Sequence, residues 1–515
     1  MNRDYPFERA GSFSATGSSE AGSPLSLIWE RAVNTLVAVT DDAYGSDARE
    51  RNEWLQDPAQ PNWVTTSVAL VPTDAAHARA ADARLLRQIV RHAALTQEAD
   101  GRLHATFPTD RGPSDCHWFI EDYALQWVQA LRIVYDSTAD TGFASIMWPV
   151  LVKQLAWFAN HTSPTNGLLL AREYTSFDDA VAYITLHGAA LNAFLVRAYR
   201  DAAYLGRAVG APAQADAYDA AGDALVAAIN AHLWDADAQS YSAGIMPDGS
   251  TVLGPSVHAA LMMLDRGEVP AARLAGTRAW FLANFGNAGV FNCCTNPNFN
   301  QNVADKVGIN EPVTMFWVFS VLYAMDSPEM DVEVLQQMRT RWKPMLARND
   351  TGTLWESFGD SESCHNYGAT PAWFLSTRVL GVRRDAPAWQ GALVIEPHLG
   401  DLDAASGAVV TEFGVVNVSW GLVFVEHLYL TFNISVPAGV ARATLRVPGP
   451  AGSTFVINGK YVPTTQEGRY GVTELGAGPA SFSGAITLGP PSLSSPPPLS
   501  SSMLPALSHC CPRRH

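Results

Sequence analysis

Basic residues are scarce in this sequence, which has 34 Lys and Arg against 50 Asp and Glu and a formal net charge of −16 at pH 7. Nucleic acids and anionic membrane surfaces are polyanions, so we expect neither as a partner. The sequence also has no run of 18 apolar residues, and no membrane-spanning helix is predicted. Since 47% of the residues are apolar, the chain can bury a large core, as globular proteins do.

Cysteine is rare as well. The six cysteines include no Cys-x-x-Cys arrangement, and their spacing matches no zinc site. We therefore predict no metal site and no cofactor. The first residues lack a hydrophobic signal core, whereas four Asn-x-Ser/Thr sequons are compatible with secretion. Localisation is left open, and secretion is expected only if a signal lies upstream of this chain.

The pattern of apolar residues divides the chain into four parts. Residues 1–23 are polar and are predicted to be a linker or the remnant of an upstream region. Residues 24–387 repeat apolar positions at three- and four-residue spacing, which predicts about twelve helices, among them 116–136, 142–160, 212–234 and 328–346. Twelve helices with alternating short and long loops can form six antiparallel hairpins around an axis, an (α/α)6 toroid. The long loops at one face would then build a site.

The last two parts differ from the helical region. Residues 388–489 alternate apolar and polar positions in short runs separated by Gly and Pro, which predicts a small antiparallel β-sandwich. Residues 490–515 are rich in Pro and Ser and cannot bury a core, so a disordered tail is expected.

Two short acidic clusters carry the functional signal. The first holds Asp47, Glu50, Arg51, Trp54 and Asp57, and the second holds Trp355 and Glu356 and is followed by His365. Hydrolysis of a glycosidic bond needs one carboxyl group to protonate the leaving oxygen and another to activate water, and sugar rings stack on aromatic faces. The pair of clusters therefore predicts a glycosidase. Taken singly, each cluster has an ordinary alternative, a solvated charged loop or a Trp that only fills the core.

The order of the two clusters resembles the catalytic region of α-L-rhamnosidases of glycoside hydrolase family 78, which are six-hairpin glycosidases. The Glu50-Arg51-x-x-Trp54-x-x-Asp57 string is similar to the family's acid motif, and Thr353-Leu354-Trp355-Glu356-Ser357 is similar to its base motif. The resemblance implies that Glu50 is the general acid and Glu356 the general base of an inverting mechanism, with carboxyl groups about 6.5–9.5 Å apart. It implies a rhamnosylated carbohydrate as substrate. The implied sugar-binding residues are Asp47, Arg51, Trp54, Asp57, Asp122, Trp127, Trp355 and His365.

The sequence departs from the family pattern in two respects. Family members commonly have an Asp about five positions before the acid, where this chain has Gly45, and we expect this sequence to lack the upstream β-domains usual in the family. Two alternatives therefore stay open: a six-hairpin glycosidase with another sugar specificity, or a catalytically impaired relative that binds carbohydrate.

Overall fold

The computed structural model describes residues 7–9, 11–17, 23–39, 70–72, 83–104, 119–173, 184–249, 252–286, 309, 311–348, 351–359, 364–384, 386–425, 427–450, 453 and 455–488. Within these ranges there are eleven α-helices: α1 (Ser23–Val39), α2 (Arg84–Ala94), α3 (Glu121–Thr138), α4 (Thr141–Asn160), α5 (Ala189–Ala208), α6 (Pro212–His232), α7 (Val257–Arg266), α8 (Ala271–Asn284), α9 (Met315–Ala324), α10 (Pro328–Ala347) and α11 (Thr370–Phe374). A 3-10 turn (Asn366–Ala369) precedes α11, a π-helical turn (Leu375–Val379) follows it, and a second 3-10 turn spans Ala388–Gln390.

Side-chain caps define several helix ends. The carboxylate of Asp140 accepts the backbone N–H of Phe143 at 2.8 Å and caps α4. The hydroxyl of Ser327 accepts the backbone N–H of Met330 at 3.3 Å and caps α10. Pro328 follows at the start of the helix, where its missing N–H leaves no bond unmade. Helix α7 ends at Gly267, whose φ of +71° is a conformation that other residues rarely adopt.

The helices pack as hairpins. The pairs α3–α4, α5–α6, α7–α8 and α9–α10 are in contact, and their loops are two to four residues long. Alternate helices also contact one another, in the series α3, α5, α7, α9, α11 and α1. The helix-rich domain of stacked hairpins predicted from the sequence is thus present in the described part of the chain. No helix found there is both long enough and apolar enough to cross a bilayer.

Two larger sheets form the β-region. Their strands are β2 (Ser12–Thr16), β9 (Val382–Arg384), β10 (Ala392–Ile395), β11 (Ala404–Thr411), β12 (Gly414–Phe424), β13 (Leu428–Val436), β14 (Arg442–Pro448), β15 (Phe455–Ile457), β16 (Lys460–Val462), β17 (Thr465–Glu467), β18 (Tyr470–Gly476) and β19 (Ala480–Thr487). Short strands form the remaining sheets: β1 (Phe7–Arg9) with β3 (Leu70–Pro72), β4 (Ala171–Arg172) with β5 (Thr185–Gly188) and β8 (Gly244–Ile245), and β6 (Trp234–Asp235) with β7 (Ser240–Tyr241).

The two larger sheets pack against each other as a sandwich. One has the strand order β16-β15-β19-β13-β12-β11-β2 and the other β17-β18-β14-β10-β9. They meet where Gly471 of β18 lies against the ring of Phe455 of β15, close enough that an added Cβ would be 3.1 Å from the ring. Along β13 buried and more exposed residues largely alternate, as a strand with one face in the core requires.

The structure corrects three details of the predicted β-region. Strand β10 runs parallel to β14, so the five-stranded sheet is mixed and not antiparallel. The β-region begins at β9, a few residues before residue 388. Residues 12–16 are not a linker but strand β2, an edge strand paired with β11. Their alternation buries Phe13 and Ala15 while Ser12, Ser14 and Thr16 stay exposed, and this apolar face supplies the physical reason for the pairing.

Polar contacts join the helical domain to the sandwich. The indole N–H of Trp29 in α1 donates to Ser376 Oγ at 3.0 Å, and that of Trp420 in β12 donates to Val379 O at 2.8 Å. Both acceptors belong to the π-helical turn, which is therefore held from two sides. In α10, Asp331 is 2.8 Å from His398 Nδ1 and 2.7 Å from Arg469 Nη2. These contacts fix the position of α10 relative to the sandwich.

Candidate active site

Two hydrogen bonds of the Leu354 backbone hold the segment that carries Glu356. The N–H of Leu354 donates to Thr35 Oγ1 of α1 at 2.9 Å, and the carbonyl of Leu354 accepts the N–H of His365 at 2.9 Å. Gly368 allows the 3-10 turn to approach, since a Cβ there would lie 2.4 Å from the Cβ of Leu354. Leu354 is fully buried, whereas the side chain of Glu356 keeps 32% of its exposure. The backbone is thus fixed while the carboxylate is accessible.

His365 is completely buried and faces this carboxylate. Its Nδ1 accepts the backbone N–H of Tyr367 at 3.1 Å, so His365 caps the 3-10 turn. Because Nδ1 is an acceptor, the proton of the neutral imidazole must be on Nε2. Nε2 lies 4.0 Å from Glu356 Oε1. The ring therefore presents an N–H toward the predicted base.

Two neighbouring acids stand in the first turn of α3. Asp122 is 1% exposed, and its Oδ1 accepts the backbone N–H of Tyr123 at 3.1 Å. Within the described part of the chain, Oδ2 has no hydrogen-bond partner. Burial, and then the charge of Glu121, raise the pKa of Asp122 well above its usual value. Burial also raises the pKa of Glu121, although Arg172 lies 4.0 Å away. Both carboxyl groups at the start of α3 are therefore protonated more readily than exposed ones.

A pair of tyrosines connects α3 to the Glu356 segment. The hydroxyls of Tyr123 and Tyr367 are 3.2 Å apart, and both side chains are buried. Tyr123 follows Asp122 directly, and Tyr367 lies two positions after His365. The structure thereby brings the first turn of α3 close to the 3-10 turn that follows His365, although the two tyrosines are 244 positions apart.

Of the remaining predicted residues, two are buried tryptophans and five lie outside the described part of the chain. Trp355 is 4% exposed and Trp127 is 1% exposed, and the indole N–H of Trp127 donates to Val90 O at 2.9 Å. Trp127 therefore packs from α3 against α2 as a core residue, and its role as a sugar contact stays a prediction. The predicted acid and its neighbours lie outside the described residues: Asp47, Glu50, Arg51, Trp54 and Asp57. Their roles stay predictions.

Sequence reasoning missed one buried acid near the start of α5. Glu173 is 1% exposed, and its Oε1 accepts the N–H of Leu191 at 3.2 Å. It fits only because residue 188 is Gly, where a Cβ would lie 1.7 Å from that oxygen. Gly188 and Leu191 follow Glu173 by 15 and 18 positions in the sequence, so no local pattern could have revealed the contact. A carboxylate at a helix start stabilises the exposed N–H groups there.

Metal centres and cavities are the other places where a ligand could bind. Among the described residues, no group of three or more His, Cys, Asp or Glu is arranged to hold a metal ion. A cavity of about 1160 Å³ lies on the seven-stranded sheet and is lined mainly by Ser and Asn, and it contains none of the predicted residues.

Two family models match this chain. The model described as the bacterial alpha-L-rhamnosidase 6 hairpin glycosidase domain matches residues 32–285, and the model described as the bacterial alpha-L-rhamnosidase C-terminal domain matches residues 381–461. Together they cover roughly two thirds of the chain. Glu356 and His365 lie between the two matched ranges.

Solved structures with the same fold include several rhamnosidases. A glycoside hydrolase family 78 rhamnosidase from Bacillus sp. GL1 is 23% identical, with a TM-score of 0.66 over 81% of this chain and 41% of that one. The α-L-rhamnosidase of Dictyoglumus thermophilum is 15% identical, with a TM-score of 0.70 over 93% of this chain and 51% of that one. The Streptomyces avermitilis α-L-rhamnosidase, solved with L-rhamnose, is 16% identical, with a TM-score of 0.66 over 95% and 43%.

At these identities the likeness shows the fold alone, and this chain spans about half or less of the length of each of the three structures. A comparison with curated protein sequences gave no match.

Proposed function

Because the two matched segments are domains of one family, the chain belongs to the bacterial α-L-rhamnosidases, which are six-hairpin glycosidases, and we propose that it hydrolyses terminal α-L-rhamnosyl residues of glycosides or polysaccharides. We also propose that the series of alternate helices closes into an (α/α)6 ring of twelve helices. The Glu356 segment and the start of α3 would then stand at one end of that ring.

The proposed mechanism is inversion by two carboxyl groups. Glu356 takes a proton from a water molecule that attacks the anomeric carbon, while Glu50 protonates the departing oxygen on the opposite side of the sugar. His365, Asp122 and Trp355 contact the sugar, together with Asp47, Arg51, Trp54 and Asp57 of the first cluster. A protonated Asp122 would donate a hydrogen bond to a sugar hydroxyl.

The observation that carries this proposal is the setting of Glu356. A base that activates water must be ionised, reachable by water and held in place. The Glu356 side chain is 32% exposed, and the backbone of Leu354, two positions earlier, is bonded to α1 and to His365. The buried His365 presents Nε2 toward it at 4.0 Å.

The substrate is tested with p-nitrophenyl α-L-rhamnopyranoside beside a panel of other nitrophenyl sugars. We expect turnover of the rhamnoside, with rhamnose of inverted anomeric configuration detected first by NMR. Glu356→Gln and Glu50→Gln should each lower kcat by about 10²–10⁴-fold while sugar binding persists. Glu474→Gln, at an exposed position of β18, is the matched control and should leave kcat unchanged.

Each contrary result contradicts a different part of the proposal. Retained anomeric configuration would refute inversion. Turnover of another sugar only would refute the substrate and leave a six-hairpin glycosidase of other specificity. Sugar binding without turnover of any glycoside would indicate a carbohydrate-binding relative.

A further inference from the structure

Three contacts tie His365 to Tyr367 and to the Glu356 segment. The backbone N–H of Tyr367 donates to His365 Nδ1 at 3.1 Å, and the Tyr367 ring packs edge-on against the imidazole with centroids 4.2 Å apart. The N–H of His365 donates to Leu354 O at 2.9 Å. The ring and the backbone of Tyr367 both contact the imidazole of His365. A displacement of Tyr367 should therefore move this imidazole relative to Glu356.

The phenol of Tyr367 ends at another phenol from a distant part of the chain. Tyr123 comes from the first turn of α3, and the two hydroxyls are 3.2 Å apart although the residues are separated by 244 positions. Tyr367 is 1% exposed and Tyr123 is 4% exposed. Because both phenols are buried, the bond between their hydroxyls helps to hold each ring in its place.

The fold of the 3-10 turn does not depend on this pair of phenols. The indole N–H of Trp342 in α10 donates to Gly368 O at 2.8 Å, and the hydroxyl of Thr370 donates to Tyr367 O at 3.2 Å. These bonds hold the backbone of the turn from other directions. The turn can therefore form without the two hydroxyls. Their contact can still affect the orientation of the Tyr367 ring and, through it, the orientation of the His365 imidazole.

The distance between His365 Nε2 and Glu356 Oε1 is slightly longer than a hydrogen bond. Nε2 of His365 lies 4.0 Å from Glu356 Oε1, whereas an N–H···O hydrogen bond requires about 2.7–3.2 Å. A shift of the imidazole by about 1 Å decides whether this N–H bonds to the carboxylate, and errors of that size in catalytic geometry can cost up to about 10²-fold in rate.

We propose that the Tyr123–Tyr367 hydroxyl pair positions His365 against Glu356, so that the first turn of α3 sets the geometry of the predicted base. Both tyrosines are positioning residues, since they act through His365. The proposal rests on the proposed function where it concerns turnover, but the geometry of the imidazole can be measured without any substrate.

The test uses Tyr123→Phe, Tyr367→Phe and the double variant. We expect kcat on the nitrophenyl rhamnoside to fall about tenfold in each single variant with KM changed less than twofold, because ground-state contacts with the sugar are retained. The double variant should be no slower than the single ones, since the two hydroxyls act as one unit. Tyr241→Phe is the control: its buried hydroxyl donates to Asn230 Oδ1 at 2.7 Å, outside the site.

A second readout needs no turnover. In ¹⁵N NMR of histidine-labelled protein, the signal lost in His365→Gln identifies this ring among the 13 histidines. The wild type should show a single tautomer with its proton on Nε2, and Tyr367→Phe should show altered ¹⁵N shifts of that ring, while Tyr241→Phe leaves them unchanged.

Four results would overturn the proposal: unchanged kcat in both single variants, losses that match the control, losses that add in the double variant, or imidazole shifts that do not respond to Tyr367→Phe. If the wild type hydrolyses no glycoside, the proposed function fails, and the NMR result alone then decides whether the phenols position His365.

Discussion

Replacement of Glu396 by Gln should remove a pH-dependent part of the stability. Glu396 follows β10, and its side chain is only 7% exposed. Burial alone would raise the pKa of Glu396, but His398, with Nε2 at 3.4 Å, and the charges of Arg383 and Arg446 outweigh burial and lower the pKa to about 2. Arg383 Nη2 lies 3.0 Å from the carboxylate. The ionised form is therefore strongly favoured in the folded protein.

The size of the effect follows from this pKa. Lowering it from 4.5 to about 2 corresponds to roughly 3 kcal/mol, at about 1.4 kcal/mol per pH unit. Since the pKa is lower in the folded state, the contribution is fully present above the unfolded pKa and is lost as the pH falls toward 2. Between pH 6 and pH 3 the wild type should lose about 2 kcal/mol from this group alone.

Urea unfolding followed by tryptophan fluorescence at pH 6 and pH 3 measures the difference. Other carboxylates titrate in both proteins, so the quantity of interest is the gap in unfolding free energy between the wild type and Glu396→Gln. We expect that gap to shrink by about 2 kcal/mol on going from pH 6 to pH 3. Glu474→Gln, an exposed position of the same sandwich, should show no such change. A gap for Glu396→Gln that stays constant or widens at pH 3 would refute the reasoning.

Three further predictions concern single positions. Burial and then the neighbouring acid raise the pKa of Asp122, so the stability of the protein should fall as the pH rises above the ordinary pKa of an Asp carboxyl. In urea unfolding, Asp122→Asn should therefore stabilise the protein more at pH 8 than at pH 4. Gly368→Ala would place a Cβ 2.4 Å from that of Leu354, and kcat should fall while the circular dichroism spectrum is retained. Trp420→Phe would leave Val379 O, which accepts its indole N–H at 2.8 Å, without that donor and should cost about 1–3 kcal/mol of unfolding free energy.

These variants have direct controls. Gly286→Ala adds a Cβ where no atom lies within 4 Å, so a loss of kcat equal to that of Gly368→Ala would show that crowding at Leu354 is not the cause. An Asp122→Asn effect that is the same at pH 4 and pH 8 would contradict a raised pKa. Unchanged stability of Trp420→Phe would show that the carbonyl finds another donor.

The helices were predictable because their apolar spacing is regular and local. The windows 212–234 and 328–346 became α6 and α10 with bounds that differ by no more than two residues. Strand β2 was not predictable, because its five residues lie in a Ser- and Gly-rich stretch and their partner strand is β11, almost 400 positions later. The parallel pairing of β10 and β14 likewise depends on the path of the intervening chain and not on either strand's own pattern.

The candidate site divides in the same way. The proximity of Glu356 and His365 could be expected, since nine positions separate them. The Tyr123–Tyr367 contact could not, because a single buried tyrosine on a helix looks like any other core aromatic. For Trp127 the resemblance implied a sugar contact, whereas the structure shows its indole buried and bonded to Val90, so that role stays a prediction.

Helix α10 links the β-sandwich to the predicted base even though all the predicted site residues precede the sandwich in sequence. At its first turn, Asp331 is held by His398 and Arg469 of the sandwich. At its other end, Arg31 of α1 donates to Met345 O at 2.7 Å and to Arg348 O at 2.6 Å, which satisfies the carbonyls at the end of the helix. The Glu356 segment follows this end within a few residues. The Glu356 segment therefore follows a helix that is anchored to the sandwich at one end and to α1 at the other.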